Sequence, residues 1–216
     1  MTEFAQTEQR VLRNPQSLRN IETIARSFGL TRDDLIAVIA GKTIVDVGSG
    51  TNGLAIDVVL RNVDCVVYSV DPHIAESDFE QRQRLSLSED RNKLFTEFDP
   101  QEMERARVKS LSRAYPFFAH NMPSFADGQF DLLIDHYAVF GYFQEESELP
   151  AFLKTIDEER RILSAGSPMY IADFIPYGGD PSTWDNWKEW QLIKLGLKYH
   201  PTPVQFSIIT YNQVKS

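Results

Sequence analysis

The chain of 216 residues is 42% apolar and 12% aromatic, enough for a sizeable core in one large domain or a domain with an appendage. Its 22 basic and 31 acidic residues give a net charge of −9, which repels a phosphate backbone and argues against a nucleic-acid partner. Cys65 is alone, so an internal disulfide and a cysteine-rich metal site are excluded, and no apolar run reaches membrane-spanning length.

Met1 to Arg13 are polar and contain no hydrophobic signal core, so a soluble, cytoplasmic protein is expected. Asn14-Pro15 suits a helix start, Leu18, Ile21, Ala25 and Phe28 form an apolar stripe, and Gly29 ends it. Thr31 and Asp34 have the spacing of a capping box for a second helix over Leu35 to Ala40. These elements make an N-terminal helical segment, residues 1–41, ahead of a domain that fills 42–216.

The next stretch is the most informative. Ile44-Val45-Asp46-Val47 reads as a buried strand, Gly48-Ser49-Gly50-Thr51-Asn52-Gly53 as a tight turn, and Leu54 to Leu60 as a helix. Glycines permit positive φ and close approach of a ligand to the backbone, and the helix start offers free N–H groups. A second strand, Cys65 to Val70, ends in Asp71, 18 residues after Gly53, where an acid can reach a ribose hydroxyl. Gly48-x-Gly50-x-x-Gly53 also fits a dinucleotide fingerprint. Asp46 opposes that reading, because a carboxylate there repels a pyrophosphate and attracts a cationic amino or sulfonium group.

About forty residues separate Asp71 from the next strand, Tyr115 to Ala119, where a crossover needs roughly a dozen. Residues 76–113 therefore hold one ordinary helix plus a charged helical insertion broken near Asp99-Pro100, either a lid or a solvated excursion. Phe130 to Asp135 reads as strand four. The run His136 to Phe143 follows, with Tyr137, Phe140, Tyr142 and Phe143 as walls of a pocket or as core. A helix from Ser147 turns Leu149, Phe152, Leu153, Ile156 and Leu163 inward, and Met169 to Ile175 is strand five. Trp184, Trp187 and Trp190 recur on a further helix, and Leu197–His200 with Gln205–Tyr211 close the chain as a hairpin.

Val45 to Gly50, with Asp71 closing the second strand, resembles motif I and the second-strand acid of the class I S-adenosylmethionine-dependent methyltransferases. Met122 to Ile134 resembles the family's segment leading into strand four, and Ile156 to Gly166 resembles its helix end before strand five. The likeness covers residues 40–176. It departs at Asn52, where the family has a third glycine, and at Phe118, where an acid often meets the adenine amino group.

The resemblance implies an α/β, Rossmann-like fold: a seven-stranded, mostly parallel sheet with an antiparallel C-terminal hairpin and helices on both faces. It implies S-adenosylmethionine as cofactor and methyl transfer to a small-molecule acceptor on oxygen or nitrogen, with a homodimer as an allowed assembly. Asp46, Gly48, Ser49 and Gly50 are expected to hold its amino-acid part, Asp71 its ribose, and His120, Asn121, Met122 and Asp135 its remainder. Asp135, His136 and Tyr137 are the expected catalytic groups, the histidine suited to proton removal near neutral pH or to a structural bond at a strand end.

Two other functions compete. A non-catalytic protein that binds the same cofactor or serves as a scaffold would explain the departures at Asn52 and Phe118. A nicotinamide oxidoreductase would need Tyr-x-x-x-Lys in mid-fold, whereas Tyr211 and Lys215 lie at the C-terminus. His73, His120, His136 and His200 show no close-spaced pair, so no metal is expected, and no Gly-x-Ser-x-Gly elbow marks a hydrolase.

Overall fold

The computed structural model describes residues 19–136, 146–172, 197–201 and 207–211. Helix α1 (Ile21–Ser27) starts on Asn20, whose side-chain oxygen accepts the Thr23 N–H at 2.8 Å. Helix α2 (Arg32–Ile39) starts on the Thr31/Asp34 capping box, both of its reciprocal bonds formed. The expected start at Asn14-Pro15 lies outside the described residues, as do Tyr137, the aromatic run to Phe143, the end of strand five from Asp173, the three tryptophans, and Gln205 and Phe206 of the hairpin.

The sheet then assembles from β1 (Thr43–Val47), β2 (Val66–Val70), β3 (Ala114–Tyr115), β4 (Leu132–His136), β5 (Pro168–Ala172), β6 (Leu197–Pro201) and β7 (Ser207–Tyr211), in the spatial order 3-2-1-4-5-7-6. The first five strands run parallel, and β7 lies antiparallel between β5 and β6. Thr43 pairs with Val66 on one side of β1, and Ile44 with Leu132 on the other. The chain leaves β1 for β2 in one direction and later returns to its other side at β4. Such a reversal opens a crevice at the carboxyl ends of the strands.

Helices α3 (Gly53–Leu60), α4 (Phe79–Leu94), α5 (Pro100–Leu111) and α6 (Leu149–Ile162) complete the layers. The two faces bury separate clusters. Val45, Val47, Leu133, Phe152 and Ile156 meet on the α6 face, while Ile44, Leu132 and Ile134 meet Ile21, Phe28, Leu35 and Leu54 on the other. Strands covered on both faces read as continuous apolar runs, as β1 and β4 do. The described part of the N-terminal segment thus shares its core with the sheet.

Strand three is shorter than the expected Tyr115–Ala119. After Tyr115 comes Pro116, which has no N–H to give the ladder, and the Phe117 N–H turns back to the Tyr115 carbonyl at 2.9 Å. The rings of Tyr115 and Phe117 pack instead with Phe125 and Tyr68. Strand four starts at Leu132 rather than Phe130, because the Phe130 N–H bonds the Ile162 carbonyl at 3.0 Å, outside the ladder.

The insertion contributes α4 and α5, and α5 begins at Pro100 on an Asp99/Glu102 capping box. Arg107, 1% exposed, is bonded to Glu104, Glu80 and the Gln83 side chain. Gln83 in turn donates to the Thr51 carbonyl at 3.0 Å, so the helical pair is tied to the glycine turn.

Candidate functional site

The turn after β1 alternates into the left-handed region: Gly48 has φ 65°, Gly50 φ 57° and Asn52 φ 61°. Asparagine is among the few non-glycine residues that tolerate this conformation, so Asn52 keeps the backbone path that a third glycine would give. Its side chain accepts from the Ser49 hydroxyl at 3.1 Å. Gly53 serves a different need. A Cβ there would lie 2.5 Å from both the backbone N and O of Arg19, so the N-terminal strap passes directly over the start of α3. The strap is fixed again one turn on, where buried Asp57 accepts the Ile21 N–H at 2.9 Å while paired with Arg61 at 2.8 Å.

Asp71 closes the turn from the β2 side. One carboxylate oxygen accepts the Gly50 N–H at 2.9 Å and the other the His73 N–H at 2.9 Å. Each carboxylate oxygen accepts more than one bond, so both remain competent toward a diol. Burial raises its pKa, and these backbone donors and His73 oppose the rise.

Asp46 is buried, and desolvation pushes its pKa up to about 7 against the attraction of Arg19, with Asp135 and Asp71 adding to the rise. Three carboxyls therefore act on one another at the switch point, and the Arg19 guanidinium attracts two of them, Asp46 and Asp71. Arg19 Nη1 donates to the Gly48 carbonyl at 2.9 Å and also to the His136 carbonyl, bridging the ends of β1 and β4.

Adjacent residues of β4 face opposite ways. Asp135 shares the α6 face with Leu133. Burial, then Asp135, raises the pKa of Glu159, whose carboxyl is 0% exposed and finds no hydrogen-bond partner among the described residues. His136 turns to the α1 face, where its Nε2 lies 2.6 Å from the Ser27 hydroxyl and its ring meets Phe28 edge-on. Burial, then Arg19, lowers the His136 pKa well below the usual histidine value, so its ring is neutral at pH 7. A ring so held joins β4 to α1 and lies across the sheet from Asp135.

The segment expected to meet the adenine lies beside the sheet. Phe118 and His120 stack with ring centroids 5.6 Å apart, and Asn121 is exposed. Met122 is buried, and its backbone is held at both ends. Glu158 accepts its N–H at 2.7 Å and Arg161 donates to its carbonyl at 3.2 Å. Arg161 also reaches the Phe125 carbonyl and Asp127. Glu158 and Arg161 thus anchor the loop before β4 to α6.

Arg19 and Glu159 escaped the sequence reading. Arg19 has no motif around it and gains its place only through the strap. Glu159 had a signal: it stands seven residues after Phe152, on the inward stripe of α6, where an acid is out of pattern. Among the described residues no cluster of His, Cys, Asp and Glu could hold a metal ion, and no helix is long and apolar enough to cross a membrane.

No protein-family model and no curated protein matches the chain. Solved structures do. A putative S-adenosyl-L-methionine-dependent methyltransferase from Methanococcus maripaludis is similar at 17% identity and a TM-score of 0.51, over 91% of this chain and 89% of that one. A mutant of the 16S rRNA (adenine(1408)-N(1))-methyltransferase from Catenulisporales acidiphilia, with cosubstrate SAM, is similar at 12% identity and a TM-score of 0.50, over 92% and 94%. The chain has the α/β, Rossmann-like fold of the S-adenosylmethionine-dependent methyltransferases.

Proposed function

We propose that this chain is an S-adenosylmethionine-dependent methyltransferase that modifies an oxygen or nitrogen of a small-molecule acceptor. The observation that carries the reading is the cation seat at the switch point: two backbone carbonyls, Gly48 and His136, converge beside buried Asp46. This set of acceptors suits an ammonium group and opposes a pyrophosphate. Asp71, at the end of β2, suits a ribose diol, and the segment His120-Asn121-Met122, braced by Glu158 and Arg161, offers the adenine a wall.

When bound, the cofactor supplies a methyl group on an electrophilic sulfonium. The protein's own residues do the positioning, which dominates such a transfer. Gly48, Ser49, Gly50 and Asp46 hold the amino-acid end, and Asp71 orients the ribose. Asp135, at the strand end, is placed to take the proton that an oxygen or nitrogen acceptor loses. His136, neutral and bonded to Ser27, holds α1 against β4 and thereby fixes the carbonyl that completes the seat.

A nucleic-acid acceptor is a second reading, since one similar structure is an enzyme of 16S rRNA. The net charge of −9 weighs against it here. Replacing Asp71 by Ala tests the site directly. Calorimetric titration with S-adenosylhomocysteine should show affinity reduced at least ~tenfold, the worth of one lost hydrogen bond to a charged group, in a protein whose melting curve stays cooperative. Unchanged affinity would contradict the assignment.

A further inference from the structure

We infer that Arg19 is a specificity-determining residue of this site: its guanidinium sits where the ligand's ammonium group would sit, so a ligand with an amino-acid tail must displace it and a tail-less nucleoside need not. The inference rests on the cofactor reading given above. Its geometry is independent of that reading, because the two carbonyls are joined by one nitrogen of the protein itself. Arg19 Nη1 donates to Gly48 at 2.9 Å and to His136, the backbone oxygens at the ends of β1 and β4.

The electrostatics agree. Burial raises the pKa of Asp46 and of Asp71 and Arg19 opposes that rise, and, second to burial, it lowers that of His136, which places its charge among all three. Two cations cannot share so small a seat without repulsion that the low local dielectric sharpens. The arginine backbone has little freedom to yield. It lies against Gly53, where even a Cβ would come within 2.5 Å, and the following turn is clamped by the Asp57 bond to Ile21 at 2.9 Å. The side chain is the part that moves, and its departure breaks the bonds that its charged group makes to the Gly48 and His136 carbonyls. The strap therefore sets a threshold for the amino-acid tail, while at the nucleoside end it exerts only the smallest of the charge effects on Asp71.

Two probes separate these ends. S-Adenosylhomocysteine carries the ammonium and carboxylate, whereas 5′-methylthioadenosine keeps the nucleoside and thioether without them. In the wild-type protein, methylthioadenosine is expected to bind at least as tightly as S-adenosylhomocysteine. Arg19→Met should tighten S-adenosylhomocysteine by about tenfold or more and leave methylthioadenosine within about twofold. Arg19→Lys, which keeps a cation on a similar stem, should stay close to wild type with both.

Weaker S-adenosylhomocysteine binding by Arg19→Met would overturn the inference, since Arg19 would then be holding the ligand's carboxylate. An equal change with both probes would also overturn it, as a general structural effect. If Arg19→Met does not fold, the wild-type ratio decides alone, and a clear preference for S-adenosylhomocysteine sinks the idea. Binding of neither probe by any of the three proteins would instead remove the cofactor reading itself.

Discussion

At the scale of single residues, Asp46 carries a conflict between stability and binding. Its carboxyl is 2% exposed, and its pKa is raised from 3.8 to about 7, chiefly by desolvation. The folded protein therefore holds this proton more tightly than the unfolded chain does. Its contribution to stability is fully present below pH 3.8 and is lost as pH rises through about 7. At ~1.4 kcal/mol per pKa unit, the loss over that window is a few kcal/mol. Asp46→Asn removes the titration. Its melting temperature should equal or exceed that of wild type at pH 8 and lose the advantage below pH 4, while its affinity for S-adenosylhomocysteine falls. A variant less stable than wild type at pH 8 would show that the ionised carboxylate is compensated in the fold. Asn52 makes a complementary point. A left-handed φ of 61° can be met by asparagine, so departure from a glycine pattern leaves the turn intact.

At the scale of elements, the strap and the turn define one another. Gly53 and Gly41 offer a matched comparison, because both are glycines close to β1. At Gly53 an added Cβ meets the Arg19 backbone at 2.5 Å, whereas at Gly41, φ 71°, nothing lies within 4 Å. Gly53→Ala should cost ~1–3 kcal/mol by overpacking and push the strap off the switch point, measurable as faster amide exchange at Ile21 and Ile24. Gly41→Ala should cost only the ~1–2 kcal/mol of left-handed strain, with exchange in α1 unchanged. Equal changes in exchange at Ile21 and Ile24 in the two variants would mean that the strap does not bear on Gly53.

The same elements show what a sequence can disclose. The strand, glycine turn, helix, strand and Asp71 were legible because their signals are local: apolar runs, glycines and a strand-end acid within thirty residues. The reason for Gly53 was not legible, since its contact is with residue 19, far off in sequence. The Pro116 to Ala119 run reads as strand from its apolar rings. Those of Phe117 and Phe118 instead serve an aromatic cluster and a stack on His120, and the backbone leaves the ladder after Tyr115. His136 was legible as a polar group at a strand end, but its partner Ser27 was not, since it stands far off in sequence.

At the scale of the whole molecule, sheet order 3-2-1-4-5-7-6 gathers Asp46, Asp71 and Asp135 from three strands at one crevice. Helices α4 and α5 are bound to that crevice through Gln83 and Thr51 rather than standing apart from it. On the reading proposed here, this crevice takes a cationic amino-acid nucleoside and not a dinucleotide. The most direct test is parallel calorimetric titration of the intact protein with S-adenosylhomocysteine and with NAD. Saturable binding of S-adenosylhomocysteine, at micromolar concentration, is expected, with no heat from NAD. Binding of NAD in its place would overturn the cofactor assignment, and the carboxylate of Asp46 would then need another explanation.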